Sequence, residues 1–317
     1  MNARVIRHGR SAALLLLAFA TIPVAADAQS DPFEEVGRWI EFTAETGLPS
    51  EAVDDVTEAA DGVPWVVGPE GVAWFDGFRW NQVVVGDWAW TRGRLARLVE
   101  SRIKPHGDRG VLVVFAARLY AGDRDGLSHV PLVEGGDTLL VRDAVSLGPS
   151  DVALYSQKGL YRLDEDGLRP WPASPRDGVT RQGLSAYAGA PWLSTSSGVY
   201  AWEGGDWVRH FGTEAALLRV NATGGLVSVE HDRNINGAWT WAHGETPMRL
   251  AGQVGGRLIA LDMNAVGDAV AVHRDGSVWS RRAGQWRALE SVPPALRETR
   301  SVSYHSNGDL WVATDGG

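Results

Sequence analysis

The chain has 317 residues, 15 of them tryptophan and 38 glycine against 7 phenylalanine, with no cysteine and a formal net charge of −9 at pH 7. The acidic balance argues against nucleic acid or an anionic membrane surface as a partner, and without cysteine no disulfide stabilises the fold. Tryptophan and glycine in that proportion suit short strands packed through large flat side chains and joined by tight turns.

Taken in chain order, the first segment reads as a targeting signal. Arg4, Arg7 and Arg10 precede an apolar run over residues 12–20, and Ala26-Asp27-Ala28 offers a small-x-small cleavage site before Gln29. The run is short for a membrane span, which needs about 18 apolar residues or more. Residues 1–28 are therefore expected to be a signal peptide cleaved near Ala28, and residues 29–317 an exported, periplasmic domain. An uncleaved anchor is the alternative.

"GRWIEF" (residues 37–42) then reads as an outer strand with no partners before it. The next stretch spells a complete unit of four strands: A near 53–57, B near 63–67, C near 72–75 and D near 78–85. Phe75-Asp76-Gly77 supplies the C–D turn. "RGRLARLVESRI" (92–103) has the periodicity of a helix, but its place in the register makes it the inner strand of a second unit.

The C-strand phrase, a glycine followed by alternating aliphatic and aromatic residues, recurs at Gly71, Gly159, Gly198, Gly237 and Gly276, and Gly317 falls one period later. Arg118 holds the glycine position in "RLYAGDRDG". A second register agrees: Trp39, Trp80, Trp171, Trp207 and Trp286 close units, while Trp65, Trp192 and Trp311 lie earlier in them. The spacing averages about 41 residues, within the roughly 40–45 of a four-stranded propeller blade. At the C-terminal end, residues 300–304 and 309–314 supply strands A and B of a unit without C and D.

The expected fold is all-β: a seven-bladed β-propeller of four-stranded antiparallel blades, its last blade incomplete and closed by the N-terminal strand over 37–42. A single blade cannot bury both its faces, so blades stack and the ring closes. The chain reads as cut within its last blade.

Motifs of catalysis are weak. Glu230, His231 and Asp232 are adjacent, but successive side chains of a strand point to opposite faces and do not converge on one ion. "GDRDG" (122–126) and "DEDG" (164–167) lack the full ligand series of a calcium loop and read as C–D turns. No nucleophile elbow, zinc-protease helix or phosphate-binding glycine loop occurs. Neither enzyme activity, metal nor cofactor is expected within these residues.

A ligand would meet the face shared by the B–C and D–A loops, at the mouth of the central channel. The register puts Glu70, Arg118, Lys158, Ser197, His231, Arg233, Arg274 and Asp315 at or near the B–C loops. Several are basic on an acidic protein, which suits an anionic or polyhydroxylated ligand; the alternative is that exposed loops simply carry charge. Trp88 and Trp90, in the long connection after the first unit, are the candidates for stacking on a sugar.

The two phrases "TGLPSEAVDDVTEAADGVPWVVGPEGVAWFDG" (46–77) and "SVSYHSNGDLWVATDGG" (301–317) resemble the two-component regulator propeller repeat, with "GAPWLSTSSGVYAW" (189–202) a fair third match. Gly68-Pro69 and Arg118 depart from its pattern. The resemblance implies an exported sensor region that feeds a membrane helix and a histidine kinase or diguanylate cyclase beyond Gly317. On that reading the partner is a small-molecule or oligosaccharide ligand, the membrane is reached only through a later segment, and a homodimer is admitted. The alternative is a free-standing exported propeller acting as a binding scaffold or a carbohydrate-active hydrolase or lyase.

Overall fold

Short valine-, leucine- and tryptophan-rich runs bounded by glycine turns pair into antiparallel sheets, as β-branched and aromatic residues between turn formers favour. The computed structural model describes residues 39–86, 101–172, 179–212, 217–221, 224–231, 235–242, 248–249, 258–290 and 292–315. The expected signal peptide, Trp88, Trp90 and Arg233 lie outside them.

The first sheet comprises β1 (Asp55–Glu58), β2 (Pro64–Gly68), β3 (Gly71–Phe75) and β4 (Trp80–Gln82). The second comprises β5 (Arg102–His106), β6 (Gly110–Phe115), β7 (Arg118–Asp123) and β8 (Gly126–Val130). A small hairpin, β9 (Val133–Glu134) and β10 (Asp137–Thr138), precedes the third sheet. That sheet is β11 (Val141–Gly148), β12 (Asp151–Ser156), β13 (Gly159–Asp164) and β14 (Gly167–Pro170). The fourth is β15 (Val179–Tyr187), β16 (Ala190–Thr195), β17 (Gly198–Glu203) and β18 (Asp206–Phe211). The fifth is β19 (Leu217–Asn221), β20 (Gly224–His231), β21 (Ile235–Ala242) and β22 (Met248–Arg249). The sixth is β23 (Leu258–Met263), β24 (Ala269–His273), β25 (Val278–Arg282) and β26 (Gln285–Ala288). A last pair, β27 (Thr299–Tyr304) and β28 (Leu310–Thr314), ends the described chain.

The architecture is an all-β propeller. Each four-stranded sheet is a meander in chain order. The first strands succeed one another around a central axis, β1 beside β5, then β11, β15, β19, β23 and β27, which returns to β1. The second strands are covered on both faces by neighbouring sheets, so they read as near-continuous apolar runs: every residue of β2, β6 and β24 is buried.

The core accordingly lies between sheets. Trp65, Val67 and Val72 pack against Ile103, Val113, Tyr120 and Leu127 of the second sheet. Leu112, Val114 and Leu119 meet Val152, Leu154 and Tyr161 of the third. Full burial of such a side chain stabilises by about 1.5–3 kcal/mol. The first two sheets are also tied at their rim, where Gly86 N–H donates to the Leu127 carbonyl at 2.9 Å and Leu127 N–H to that of Val84 at 3.0 Å.

Two expectations are corrected. In place of a seven-bladed ring with its last blade completed by the N-terminal strand, the described residues hold six four-stranded sheets and two two-stranded ones, the hairpin β9–β10 and the last pair β27–β28. Nor does the N-terminal segment close the last sheet as a strand. Residues 39–42 pair with no strand, Ile40 is 73% exposed, and the chain turns away at the short 3₁₀ segment Ala44–Thr46. Thr46 fixes that turn, its hydroxyl accepting the Thr43 N–H at 2.9 Å and donating to the Thr43 carbonyl at 2.8 Å.

What the segment contributes is a side chain. The Phe42 ring stacks on Trp311 at 5.7 Å and meets Phe75 edge-on at 5.2 Å and Trp80 at 5.9 Å, bridging the last pair to the first sheet. The inner strand of the second sheet also begins late, at Arg102, so it takes only the end of the 92–103 segment. The remaining strands of the first and last units fall within about two residues of their expected places, the ordinary uncertainty of element ends. Strand D of the first unit is shortened to Trp80–Gln82.

Candidate functional site

An axial cavity of about 410 Å³ is lined by the inner strands and reaches the A–B turns through Ala265 and Ser306. Alternation along the inner strands sends part of each strand toward the axis. In β5, β11, β19 and β23 that part carries a charge.

Lys104 Nζ stands 2.8 Å from Asp143 Oδ1 and donates to the Leu184 carbonyl at 2.6 Å, linking three successive sheets. Its side chain keeps 18% exposure, that of Asp143 8%. Burial pushes the Lys104 ammonium below its usual range, and the Asp143 carboxylate opposes that shift. Arg219 repeats the device, donating from Nε to Asp262 Oδ1 at 2.8 Å and from Nη1 to the Leu218 carbonyl at 3.0 Å. Asp262 Oδ2 accepts the Tyr304 N–H at 2.7 Å. Burial raises the Asp262 carboxyl, while Arg219 and the Tyr304 N–H hold it down.

Asp55 closes the ring of charges. Its Oδ2 accepts the Ile103 N–H at 3.0 Å, its Oδ1 accepts the Val56 N–H at 3.0 Å, and the Ser301 hydroxyl bonds to the same Oδ1. At the A–B end, Glu58 accepts from the Ser306 N–H at 2.8 Å and from its hydroxyl at 2.7 Å. Between the charges the lining is apolar, with Val56, Ile103, Leu184, Met263 and Val302.

The residues expected to form a rim lie elsewhere. Glu70, Arg118, Lys158, Ser197, His231, Arg274 and Asp315 all stand at B–C connections, as their register requires. Because consecutive strands are antiparallel, those connections sit at the end of each sheet opposite the A–B turns. Glu70, Lys158, Arg274 and Asp315 are exposed, Arg118 and Ser197 half-buried, and none lines the cavity.

Several already have local partners. Lys158 Nζ bonds Asp137 Oδ2 at 3.0 Å, and Asp315 pairs with Arg300. The Ser197 hydroxyl shares its proton with Tyr200 at 3.0 Å. At Arg118 the missing glycine is compensated by two alanines, since Ala116 and Ala117 take φ of 47° and 62° to make the turn. "GDRDG" and "DEDG" are C–D turns, as expected.

Lys104, Asp143, Arg219 and Asp262 were not singled out by sequence reasoning. The available signal was a charge inside an otherwise apolar inner-strand phrase, as in "RIKPH", "VRDAV", "LLRVN" and "LIALDM". Without the fold, nothing said that these charges share one axis.

No protein-family model and no curated protein matches the chain. Solved structures do. A streptogramin B lyase aligns at 12% identity and TM-score 0.60, covering 85% of this chain and 93% of that one. YCF48 bound to a D1 peptide aligns at 13% identity and TM-score 0.61, covering 84% and 91%. The extracellular domain of BT4673, described as a one-component system of B. thetaiotaomicron, aligns at 12% identity and TM-score 0.57, covering 86% of this chain and 38% of that one. At these identities the likeness is one of fold, and the fold is the β-propeller.

Proposed function

We propose that this chain is the ligand-sensing propeller of an exported signal-transduction protein, and that the ligand is a small polar molecule held in the axial cavity. The observation that carries this reading is the cavity itself. Its volume of about 410 Å³ lies within the roughly 300–1,000 Å³ of small-molecule sites. Its wall combines apolar surface with a few convergent charged groups, the composition expected of such a site.

The likeness to the BT4673 extracellular domain favours a signalling role over a free-standing scaffold, as does the resemblance of residues 46–77 and 301–317 to the regulator propeller repeat. On this reading β27 and β28 are the inner half of a seventh blade, the domain stands in the periplasm behind a signal peptide, and it binds without catalysing a reaction. Output comes from a domain outside these residues. Nucleic acid is not a partner.

The test is a thermal-shift screen of the full chain against sugars, polyols, amino acids and organic acids, followed by calorimetric titration. A ligand present at about 100 times its Kd stabilises by about 2.7 kcal/mol, a shift of several degrees for a domain of this size. Ala186→Phe, which fills the cavity from β15, should abolish the shift. If no compound at millimolar concentration raises Tm, sensing at the axis is wrong. A phosphatase fused after residue 315 should be active only when exported, and an inactive fusion would remove the periplasmic assignment.

A further inference from the structure

Resting on the reading that the axial cavity binds a ligand, we infer that the site selects an uncharged molecule rich in acceptor oxygens, a monosaccharide or polyol, and that Lys104 and Arg219 are the residues that hold it.

Donors and acceptors on the cavity wall are unequally engaged. An ammonium has three N–H donors and a guanidinium five. Lys104 commits two of its donors, to Asp143 and to the Leu184 carbonyl. Arg219 commits Nε to Asp262 and one Nη1 donor to the Leu218 carbonyl. The last ammonium proton and the Nη2 edge of the guanidinium have no partner among the described residues, and both side chains keep exposure, 18% and 25%.

The carboxylates of the wall are already engaged. Both oxygens of Asp55, of Glu58 and of Asp262 receive hydrogen bonds from the protein. Asp143 Oδ2 makes no bond, but it is closed off from solvent and from the cavity space. Unengaged N–H donors therefore stand in a wall whose carboxylates already hold protein partners.

Charge then decides between an anion and a neutral ligand. Arg102, Lys104 and Arg219 line the cavity with Asp55, Glu58, Asp143 and Asp262, so the cations are outnumbered by carboxylates and the formal balance is −1. A ligand carboxylate would enter a site whose cations are already neutralised, at the cost of its own desolvation. A ligand ammonium would face the cationic donors of Lys104 and Arg219 and would have to compete with them and with backbone N–H groups for carboxylates already engaged. Hydroxyl, ring and carbonyl oxygens meet neither penalty. The apolar stretch from Val56, Ile103, Leu184, Met263 and Val302 suits the C–H faces of a compact ring.

The experiment is calorimetric titration of the full chain with glucose, xylose and myo-inositol as uncharged probes, and with glucuronate and glucosamine as charged counterparts. At least one uncharged probe should bind at least tenfold more tightly than either charged sugar, with affinity unchanged between 50 and 500 mM NaCl, a range over which screening of a charged ligand would be evident. Arg219→Lys, which keeps the charge and removes the fork, should weaken that binding about tenfold in a protein that still unfolds cooperatively, its Tm lowered by loss of the Nε bond to Asp262. Lys104→Met is the harsher variant, because it strands Asp143.

Tighter binding of glucuronate or glucosamine overturns the inference and leaves a ligand-binding cavity standing. So does failure of every uncharged probe when another compound of the wider screen binds in an Ala186→Phe-sensitive way. Unaltered affinity in Arg219→Lys removes that residue from the site. Absence of binding by any compound overturns both this inference and the reading it rests on.

Discussion

Asp262 on β23 accepts the backbone N–H of Tyr304 on β27 at 2.7 Å, so a carboxylate of one inner strand is hydrogen-bonded to the main chain of the next. Asp55 does the same to Ile103 at 3.0 Å, one sheet onward around the ring. Inner strands of neighbouring sheets do not share a ladder, so their N–H groups on the axis need side-chain acceptors. These aspartates supply them, and Ser301, Lys104 and Arg219 reach the three inner-strand aspartates from the preceding sheet.

Asp262→Ala should therefore be costly. It leaves the Arg219 guanidinium uncompensated and the Tyr304 N–H without its acceptor, a loss of about 3–5 kcal/mol for a broken buried pair. Asp262→Asn keeps one acceptor and should cost less. Urea denaturation of the two variants against the wild type measures the difference, and equal stability of all three would show that the bond does not hold the seam.

Stability should fall in mild acid partly through His305. This imidazole is 1% exposed and lies against Trp311, and burial pushes its pKa from 6.5 down to about 4. The unfolded chain binds the proton more readily, so stability from the neutral ring is complete above pH 6.5 and is lost progressively as pH falls toward 4. At about 1.4 kcal/mol per pKa unit the loss approaches roughly 3 kcal/mol. His305→Phe should flatten the Tm–pH curve over that window relative to wild type; parallel curves would mean that the ring does not titrate there.

Gly198 and Gly159 open equivalent strands, β17 and β13, both with positive φ, 140° and 127°. A Cβ at Gly198 would meet the Phe211 carbonyl oxygen at 2.0 Å, whereas nothing lies within 4 Å of one at Gly159. Gly159→Ala should cost about 1–2 kcal/mol from the backbone alone. Gly198→Ala should cost clearly more, because backbone must also move. Thermal denaturation of the two proteins in parallel tests the order.

Amide exchange should separate the N-terminal segment from the sheets. Residues 40–42 pair with no strand, while Trp65, Val66 and Val67 lie in the middle of a four-stranded sheet. The former should exchange orders of magnitude faster. Phe42→Ala should nonetheless cost about 2 kcal/mol, since its half-buried ring closes the cluster with Phe75, Trp80 and Trp311. Comparable protection at both places would restore the outer strand that the sequence suggested.

Joint replacement of Arg118, Lys158 and Arg274 by alanine should leave Tm nearly unchanged, because exposed or partly exposed charges at loop ends contribute little. It should also leave ligand affinity unchanged, since none of the three lines the cavity. Loss of affinity in this variant would move the binding site from the axis to the opposite rim.

The sequence by itself determined the repeat. Glycines such as Gly71, Gly159 and Gly198 open strands because the backbone turns there, and Trp65 and Trp192 recur because their units each bury a large ring of the second strand between sheets. Local constraints of that kind repeat with the chain, so strand order, the C–D turns and the B–C placement of Arg118, Lys158 and Arg274 could be read from spacing. Only the tertiary structure decided what meets at the axis. Lys104 and Asp143 are separated by the other three strands of the second sheet and a hairpin, and Arg219 and Asp262 likewise belong to different sheets; their pairing follows from the way inner strands gather at the axis. It also decided that Phe42 joins the last pair of strands through its ring and not its backbone, because the turn fixed by Thr46 carries the chain away before a ladder can form.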